Sequence, residues 1–258
     1  MKKKLFCVSD VHSYFTPLKK ALDAVGFEVG NENHLLIVCG DAFDRGNESR
    51  EVLRFLMTTP NKILIRGNHE DLLEELCLRG YPHQHDHSNG TKKTVDDLGG
   101  SGTFDERCEK VYNKLACYRS SLVNYFETKN YIFVHGWIPC EKWVDNPKNP
   151  WYQLGKTWEY DPDWRKCNAW GWESARWTNG IARAFEGVIE PGKTIVCGHW
   201  HCSYGHHLKS IKTDKWISEF EEDANWEPFE AEGIIAIDRC TAHTGKVNVV
   251  VLEDELLD

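Results

Sequence analysis

The stretch Leu35-Leu36-Ile37-Val38-Cys39-Gly40-Asp41-Ala42-Phe43-Asp44-Arg45-Gly46 constrains this chain most. Its first five residues form an apolar run, too short for a helix, that reads as a buried strand. The run stops at Gly40 and delivers two carboxylates and a guanidinium into a loop closed by Gly46. Asp, Asp and Arg directly after a buried strand do little for folding. They suit a ligand site, because α/β sheets bind ligands outside the carboxyl ends of their strands.

The pattern recurs four times. Lys4-Leu5-Phe6-Cys7-Val8 leads to Ser9-Asp10-Val11-His12-Ser13, and Lys62-Ile63-Leu64-Ile65 to Arg66-Gly67-Asn68-His69-Glu70. Tyr131-Ile132-Phe133-Val134 leads to His135-Gly136, and Thr194-Ile195-Val196-Cys197 to Gly198-His199-Trp200-His201. Five strands thus deliver oxygen and imidazole donors at one end. Such donors suit divalent Mn, Fe or Zn. No Cys stands in those positions, which argues against a structural zinc knot.

In this order, Asp-x-His, Gly-Asp-x-x-Asp-Arg-Gly, Gly-Asn-His-Glu, a lone His-Gly and Gly-His-x-His resemble the motifs of the calcineurin-like metallophosphoesterases. Arg45-Gly46 and Arg66-Gly67-Asn68-His69-Glu70 resemble the serine/threonine phosphoprotein phosphatase branch, its compact bacterial and phage members above all. The resemblance runs from Asp10 to His201. It implies an α/β fold, an αββα sandwich of two mixed β-sheets flanked by helices. Early strand–helix alternation followed by strand-to-strand runs gives, by itself, only α/β with mixed sheets.

The same resemblance implies two divalent metal ions, Mn first, with Fe, Zn or Ni as alternatives. Asp10 and His12 would bind one, Asn68, His135 and His199 the other, and Asp41 would bridge both. His201 would join the first metal where the wider superfamily uses the second His of Gly-His-x-His. Arg45 and Arg66 would grip the phosphate, with Arg176 a third clamp. His69, held by Asp44, would protonate the leaving group rather than bind metal, since a carboxylate partner orients an imidazole and raises its pKa. Two departures alter the rim: Ser9 and Ser13 replace the usual glycines, and Trp137 follows His135-Gly136.

These expectations describe a metal-dependent phosphatase acting on monoesters, phosphoserine and phosphothreonine in proteins first. The rivals are a dinucleoside-polyphosphate hydrolase or phosphodiesterase of the same superfamily, and a catalytically dead protein-binding scaffold. Every position that such scaffolds lose is filled here.

The 258 residues carry a net charge of −9, the wrong sign for stable binding to nucleic acid. No apolar stretch approaches the length of a membrane span. Lys2-Lys3-Lys4 precedes too short an apolar run for a signal peptide, so the ten cysteines are expected reduced and the protein cytoplasmic. A monomer with a phosphoprotein or small phosphoester as partner is favoured.

Evenly spread motifs predict one domain over 1–258. Helices are expected from Thr16 as cap with Pro17 following, after Gly46, from near His69 to Gly80, and over Phe104 to Tyr118. Tyr81 to Gly90, with His83, His85 and His87, reads as a solvated loop. Hairpins are expected for Leu122 to Glu127 with Tyr131 to His135, and for Gly233 to Asp238 with Lys246 to Leu252. Between them, a Trp-rich loop or cap region spans about 137–180. It holds eight of the eleven tryptophans, most of which should form a satellite core. Glu219 to Glu232 reads as a solvated acidic excursion, and Glu253 to Asp258 as a frayed tail.

Overall fold

In the computed structural model, residues 2–145, 153–211, 213 and 215–257 are described. The first half alternates strand and helix: β1 (Lys2–Val8), α1 (Phe15–Ala24), β2 (His34–Cys39), α2 (Ser49–Thr58), β3 (Lys62–Ile65) and α3 (Asn68–Arg79). Three further helices follow, α4 (Gln84–Ser88), α5 (Thr91–Gly99) and α6 (Phe104–Lys114), then a short α7 (Ala116–Ser120). Next come β4 (Leu122–Val123), β5 (Phe126–Glu127), β6 (Tyr131–Phe133), β7 (Glu141–Asp145) and β8 (Gln153–Trp158). Two helices, α8 (Ala169–Arg176) and α9 (Gly180–Phe185), lead to β9 (Thr194–Cys197) and α10 (Cys202–Ile211). The last elements are β10 (Phe229–Ala231), β11 (Ile234–Ala236), α11 (Thr241–Thr244) and β12 (Val250–Glu255).

The strands make two five-stranded sheets, ordered β12-β1-β2-β3-β4 and β10-β11-β9-β6-β5, and β7 pairs with β8 apart from both. In the first sheet β1 to β4 are parallel and β12 is antiparallel to β1. In the second, β11, β9 and β6 are parallel, with β10 and β5 antiparallel at the edges.

Strand alternation sorts the core into layers. Phe6, Val8, Leu36 and Val38 face helices, packed with Leu18 and Leu22 of α1, Val52 of α2 and Leu73 of α3. Their neighbours Leu5, Cys7, Ile37 and Cys39 face the other sheet, against Phe133, Val196 and Ile235. The far side of that sheet packs Ile132 and Ile195 against Trp172 of α8 and Ile181 of α9. This is the expected order of helices, sheet, sheet, helices.

Several local expectations change. The α1 helix begins at Phe15, and Thr16 lies in its first turn, its N–H donating to Glu48 Oε2 at 3.0 Å instead of capping. The expected hairpins divide between the sheets. β4 pairs with β3 and β5 with β6, while β11 joins β9 and β12 crosses to β1. An apolar run announces a strand but not its partner. The tail to Glu255 is not frayed, because β12 is anchored: buried Asp254 accepts from Thr128 Oγ1 at 2.7 Å and from Asn130 N at 2.7 Å.

The loop expected over Tyr81 to Gly90 contains α4, where buried Asp86 accepts from His83 N and Arg79 Nη2, while His83, His85 and His87 stay exposed. Among the tryptophans of the cap region, Trp137, Trp164 and Trp172 are buried, whereas Trp143, Trp158, Trp170 and Trp177 are exposed. Trp143 and Trp158 are carried on the two-stranded β7–β8 hairpin, which covers only one face of each ring, whereas Trp170 lies in α8 and Trp177 just after it. Trp151 lies outside the described residues.

Candidate metal centre

Each donor sits just past the carboxyl end of a parallel strand: Asp10 and His12 after β1, Asp41 after β2, Asn68 after β3, His135 after β6 and His199 after β9. The two sheets present these ends to one another, so donors far apart in sequence converge. Glycines permit the approach. A Cβ on Gly67 would lie 2.2 Å from Asp41 Oδ1, and one on Gly40 would lie 2.4 Å from His135 Nδ1.

The backbone is strained here and almost nowhere else. Eight described non-glycine residues have positive φ: Asp10, His12, Ser13, Asp41, Asp44, Arg45, His199 and Cys240. All lie at or beside the donors. Left-handed backbone costs an L-residue roughly 1–2 kcal/mol, and such strain gathers where function fixes geometry. Ser13 thus holds a conformation that glycine adopts freely.

Two groups of donors lie close enough to hold an ion: His12, Asp41 and His69, and Asp41, His135 and His199. Asp41 belongs to both. His12 Nδ1 donates to the Phe43 carbonyl at 2.9 Å, which leaves Nε2 facing the Asp10 and Asp41 carboxylates, each 3.9 Å away. His135 Nδ1 donates to the Cys39 carbonyl at 2.8 Å, and its Nε2 lies 2.8 Å from Asn68 Oδ1 and 3.3 Å from Asp41 Oδ1. Backbone carbonyls so fix both tautomers with the other nitrogen turned inward, the usual arrangement of ligating imidazoles. Asp10 Oδ2 accepts the His199 N–H at 2.9 Å, and Asp41 Oδ1 accepts the His69 N–H at 3.0 Å.

Burial and charge divide the imidazoles into two kinds. Burial and the neighbouring His69 lower His12 to about 3, and burial and His135 lower His199 to about 3, so both are neutral donors near pH 7. Burial opposes charge on His69 as well, but Asp41 and Asp44 outweigh it and raise the group to about 9. Asp41 itself is pushed up to about 6, mostly by burial. Burial opposes charge on His135, but Asp41 and Asp10 outweigh it and raise that imidazole. Buried carboxylates and imidazoles around a shared Asp fit divalent cations by the chemistry of the donor set.

His69 also touches the acid expected beside it. Its Nδ1 lies 2.7 Å from Asp44 Oδ2, and its Nε2 is 3.3 Å from Arg45 Nη2. Asp44 is fully buried and accepts from Thr91 Oγ1 at 2.9 Å and Thr94 Oγ1 at 2.7 Å. Both threonines lie on α5, a helix not foreseen from the sequence. Glu70 was also passed over. Its carboxylate accepts from the N–H groups of Asp41, Ala42 and Gly67 at 2.9, 3.0 and 2.8 Å and fixes the loop that carries Asp41.

A cavity of about 450 Å³ opens over these groups and is lined by Asp10, His12, Asp41, Arg45, Asn68, His69 and His199. Arg66 and Arg176 line a neighbouring cleft instead. Arg66 Nε pairs with Asp71 Oδ1 at 2.5 Å and Arg176 Nε with Asp71 Oδ2 at 2.6 Å, while Arg66 also pairs with Glu74. His201 reaches the rim of the cavity, but both ring nitrogens are engaged, Nε2 with Glu219 at 3.1 Å and Nδ1 with Ser203 Oγ at 2.8 Å.

The cavity includes a carboxylate that sequence reasoning missed, Asp238. It is buried, held by the Cys240 N–H at 2.6 Å, and burial together with Asp10 pushes its pKa well above the carboxylate range. The signal was present: Ile234-Ile235-Ala236-Ile237-Asp238 repeats the pattern of a strand ending in a polar residue.

A buried carboxylate shared by two groups of ligand-ready side chains, at the mouth of two facing sheets, defines a dinuclear metallohydrolase centre. The chain belongs to the calcineurin-like phosphoesterases, whose family description matches residues 3–203. It is therefore a metal-dependent phosphoester hydrolase. A structure described as "a putative diadenosine tetraphosphatase" superposes with a TM-score of 0.52 at 14% identity, covering 99% of this chain and 95% of its own. The cold-active protein-tyrosine phosphatase of a psychrophilic Shewanella gives 0.46 at 15% identity over 97% and 75% of the two chains. A protein serine/threonine phosphatase from Saccharomyces cerevisiae, similar to human phosphatase PP5, gives 0.43 at 14% over 99% and 81%. No curated protein sequence matches the chain. Among the described residues, no helix is long and apolar enough to cross a membrane.

Proposed function

We propose that the protein is a phosphatase for monoesters carried on protein side chains, with Mn as its preferred metal pair. Two cations held by Asp10, His12 and Asp41 on one side, and by Asp41, Asn68, His135 and His199 on the other, would polarise an attacking water and the phosphoryl oxygens. Arg45, which lines the cavity, grips the phosphoryl group, its planar fork matching two oxygens. His69, charged near neutrality and steadied by Asp44, gives its Nε2 proton to the leaving oxygen. Thr91 and Thr94 hold Asp44, and Glu70 holds the backbone of Asp41.

The observation that carries this reading is the Asp44–His69 pair beside Arg45, within the cavity that contains the shared Asp41. An acid next to a phosphate clamp suits an ester whose leaving group needs a proton. The ten free cysteines suit the cytoplasm, and we assign the protein there, as a monomer of one domain.

A substrate panel with Mn²⁺ tests the reading. A phosphoserine peptide and p-nitrophenyl phosphate should turn over much faster than bis-p-nitrophenyl phosphate. Faster hydrolysis of the diester would make the protein a phosphodiesterase. Preference for a dinucleoside polyphosphate would make it a nucleotide hydrolase, and no turnover at all would leave a scaffold.

A further inference from the structure

The walls of the cavity differ in kind from its floor. Trp177, at the end of α8, stands beside the metal donors, with ring centroids 6.0 Å from His199 at 85°. The His199 ring also hydrogen-bonds to the Trp177 backbone, so this tryptophan is tied to a proposed ligand. Phe220, in the acidic excursion, lines the same cavity. It packs on His201 with centroids 4.7 Å apart and on Trp226 at 5.8 Å. Trp177 and Phe220 are nonetheless 50% and 53% exposed, so each ring is braced by its neighbours and open toward the cleft.

Arg45 and the proposed metal pair together mark one phosphoryl position in the cavity. Among the described residues, Arg45 is the one Arg or Lys that lines the cavity, and Arg66 and Arg176 are ion-paired in the neighbouring cleft. Glu219, paired with His201, and Asp238 also line the cavity. What remains for the rest of a substrate includes the aromatic surface of Trp177, Trp200 and Phe220, beside Asn89, Cys240, Thr241 and Ala242. Rings prefer offset or edge-to-face contact with other rings, an attraction beyond simple burial.

We infer that the rim selects monoesters whose alcohol carries a neutral planar ring, received between Trp177 and Phe220 while Arg45 holds the single phosphoryl group. This rests on the monoesterase part of the reading above, whichever molecule carries the ester. A phosphotyrosyl side chain and a nucleoside monophosphate both present that chemistry.

The test separates the ring from the leaving group. Benzyl phosphate and butyl phosphate both release an alkoxide, and only the first carries a ring. With the Mn-loaded full chain, kcat/KM should favour benzyl over butyl phosphate. Trp177→Leu and Phe220→Leu should each lower that ratio by about threefold to tenfold. Both side chains are half exposed, so the variants should fold, which metal content and far-UV circular dichroism would verify. Trp170→Leu, at a 63% exposed ring outside the cavity, should leave the ratio where it was. A wild-type ratio near one, or a ratio unmoved in both rim variants, overturns the inference while leaving the monoesterase intact. Failure to hydrolyse either ester overturns the monoesterase instead. Phosphotyrosyl peptide and 5′-nucleoside monophosphate, run side by side, tell which source of ring is preferred. Diadenosine tetraphosphate outrunning both would overturn the single-phosphoryl argument.

Discussion

Nδ1 of His69 lies 2.7 Å from Oδ2 of Asp44, and both side chains are buried. In the proposed mechanism the pair supplies the proton that Nε2 gives to the leaving oxygen. Its importance should scale with the basicity of the leaving group. His69→Asn should depress turnover of a phosphoserine peptide by about 10²–10⁴, the scale of lost general acid catalysis. It should keep far more activity on p-nitrophenyl phosphate, and both metals. Asp44→Asn should show a weaker form of the same pattern, and the double variant should be far from additive. Equal losses on both esters, or loss of metal, would remove His69 from the acid role.

Asp41 joins the two donor groups, so its loss should be felt by both ions. Asp41→Asn replaces a charged, two-oxygen donor by a neutral one with a single oxygen. Elemental analysis after gel filtration should find neither metal retained, with activity lost in parallel. Two tightly held ions in this variant would show that the bridge lies elsewhere.

Arg45, Arg66 and Arg176 should part company. Arg45→Ala should raise KM for monoesters by about tenfold or more, since it removes a charge-assisted contact to phosphate. Arg66→Ala and Asp71→Asn should act mainly on stability, by roughly 0.5–1 kcal/mol, because each removes one member of a half-buried ion-pair network whose other members keep partners. Thermal unfolding and steady-state kinetics on the three variants would check the division. A KM effect at Arg66 matching that at Arg45 would bring Arg66 back to the phosphate.

His201 is engaged by Glu219 and Ser203 at both ring nitrogens. His201→Ala should therefore leave metal titration within about twofold of wild type. Weakening of one metal by about tenfold or more would place it among the ligands or their direct supports.

Asp254 links the sheets by accepting from Thr128 and Asn130. Burial pushes its pKa up, but those hydrogen bonds outweigh burial and hold it below the ordinary carboxylate range. A depressed folded-state pKa means stability that is present above the unfolded value, roughly 3.9, and lost as pH falls through the folded one. Asp254→Asn should lower the urea midpoint at pH 7, and the gap to wild type should close toward pH 3. A gap independent of pH would mean that packing, not charge, is what the substitution disturbs.

The strands and their donors were legible because a buried parallel strand leaves a continuous apolar run, and its end leaves an abrupt polar cluster. Periodicity also located α2 and α3, with Gly80 ending the latter. Partner choice was not legible. Nothing within Lys246 to Leu252 says that β12 crosses to β1 rather than pairing with β11. Thr91 and Thr94 look like ordinary helix-surface threonines until Asp44 is seen between them. Which acid claims an arginine is likewise tertiary: Asp71 lies five residues from Arg66 but also takes Arg176 from α8. Asp238 was legible and was passed over as the end of a strand.

The pairing of β12 with β1 also sets an order of events during synthesis. β1, with Asp10 and His12 behind it, leaves the ribosome early, but its antiparallel neighbour is translated after every metal donor named here. His199 and the strand that presents it also come late. Pairing so distant in sequence is slow, because a long loop must close before it is rewarded. A nascent chain stalled before Val250 would expose one edge of β1 and the apolar faces beneath it. Chains held on the ribosome by a C-terminal linker should therefore acquire protease resistance in one late step, when the linker is long enough to carry β12 out of the exit tunnel.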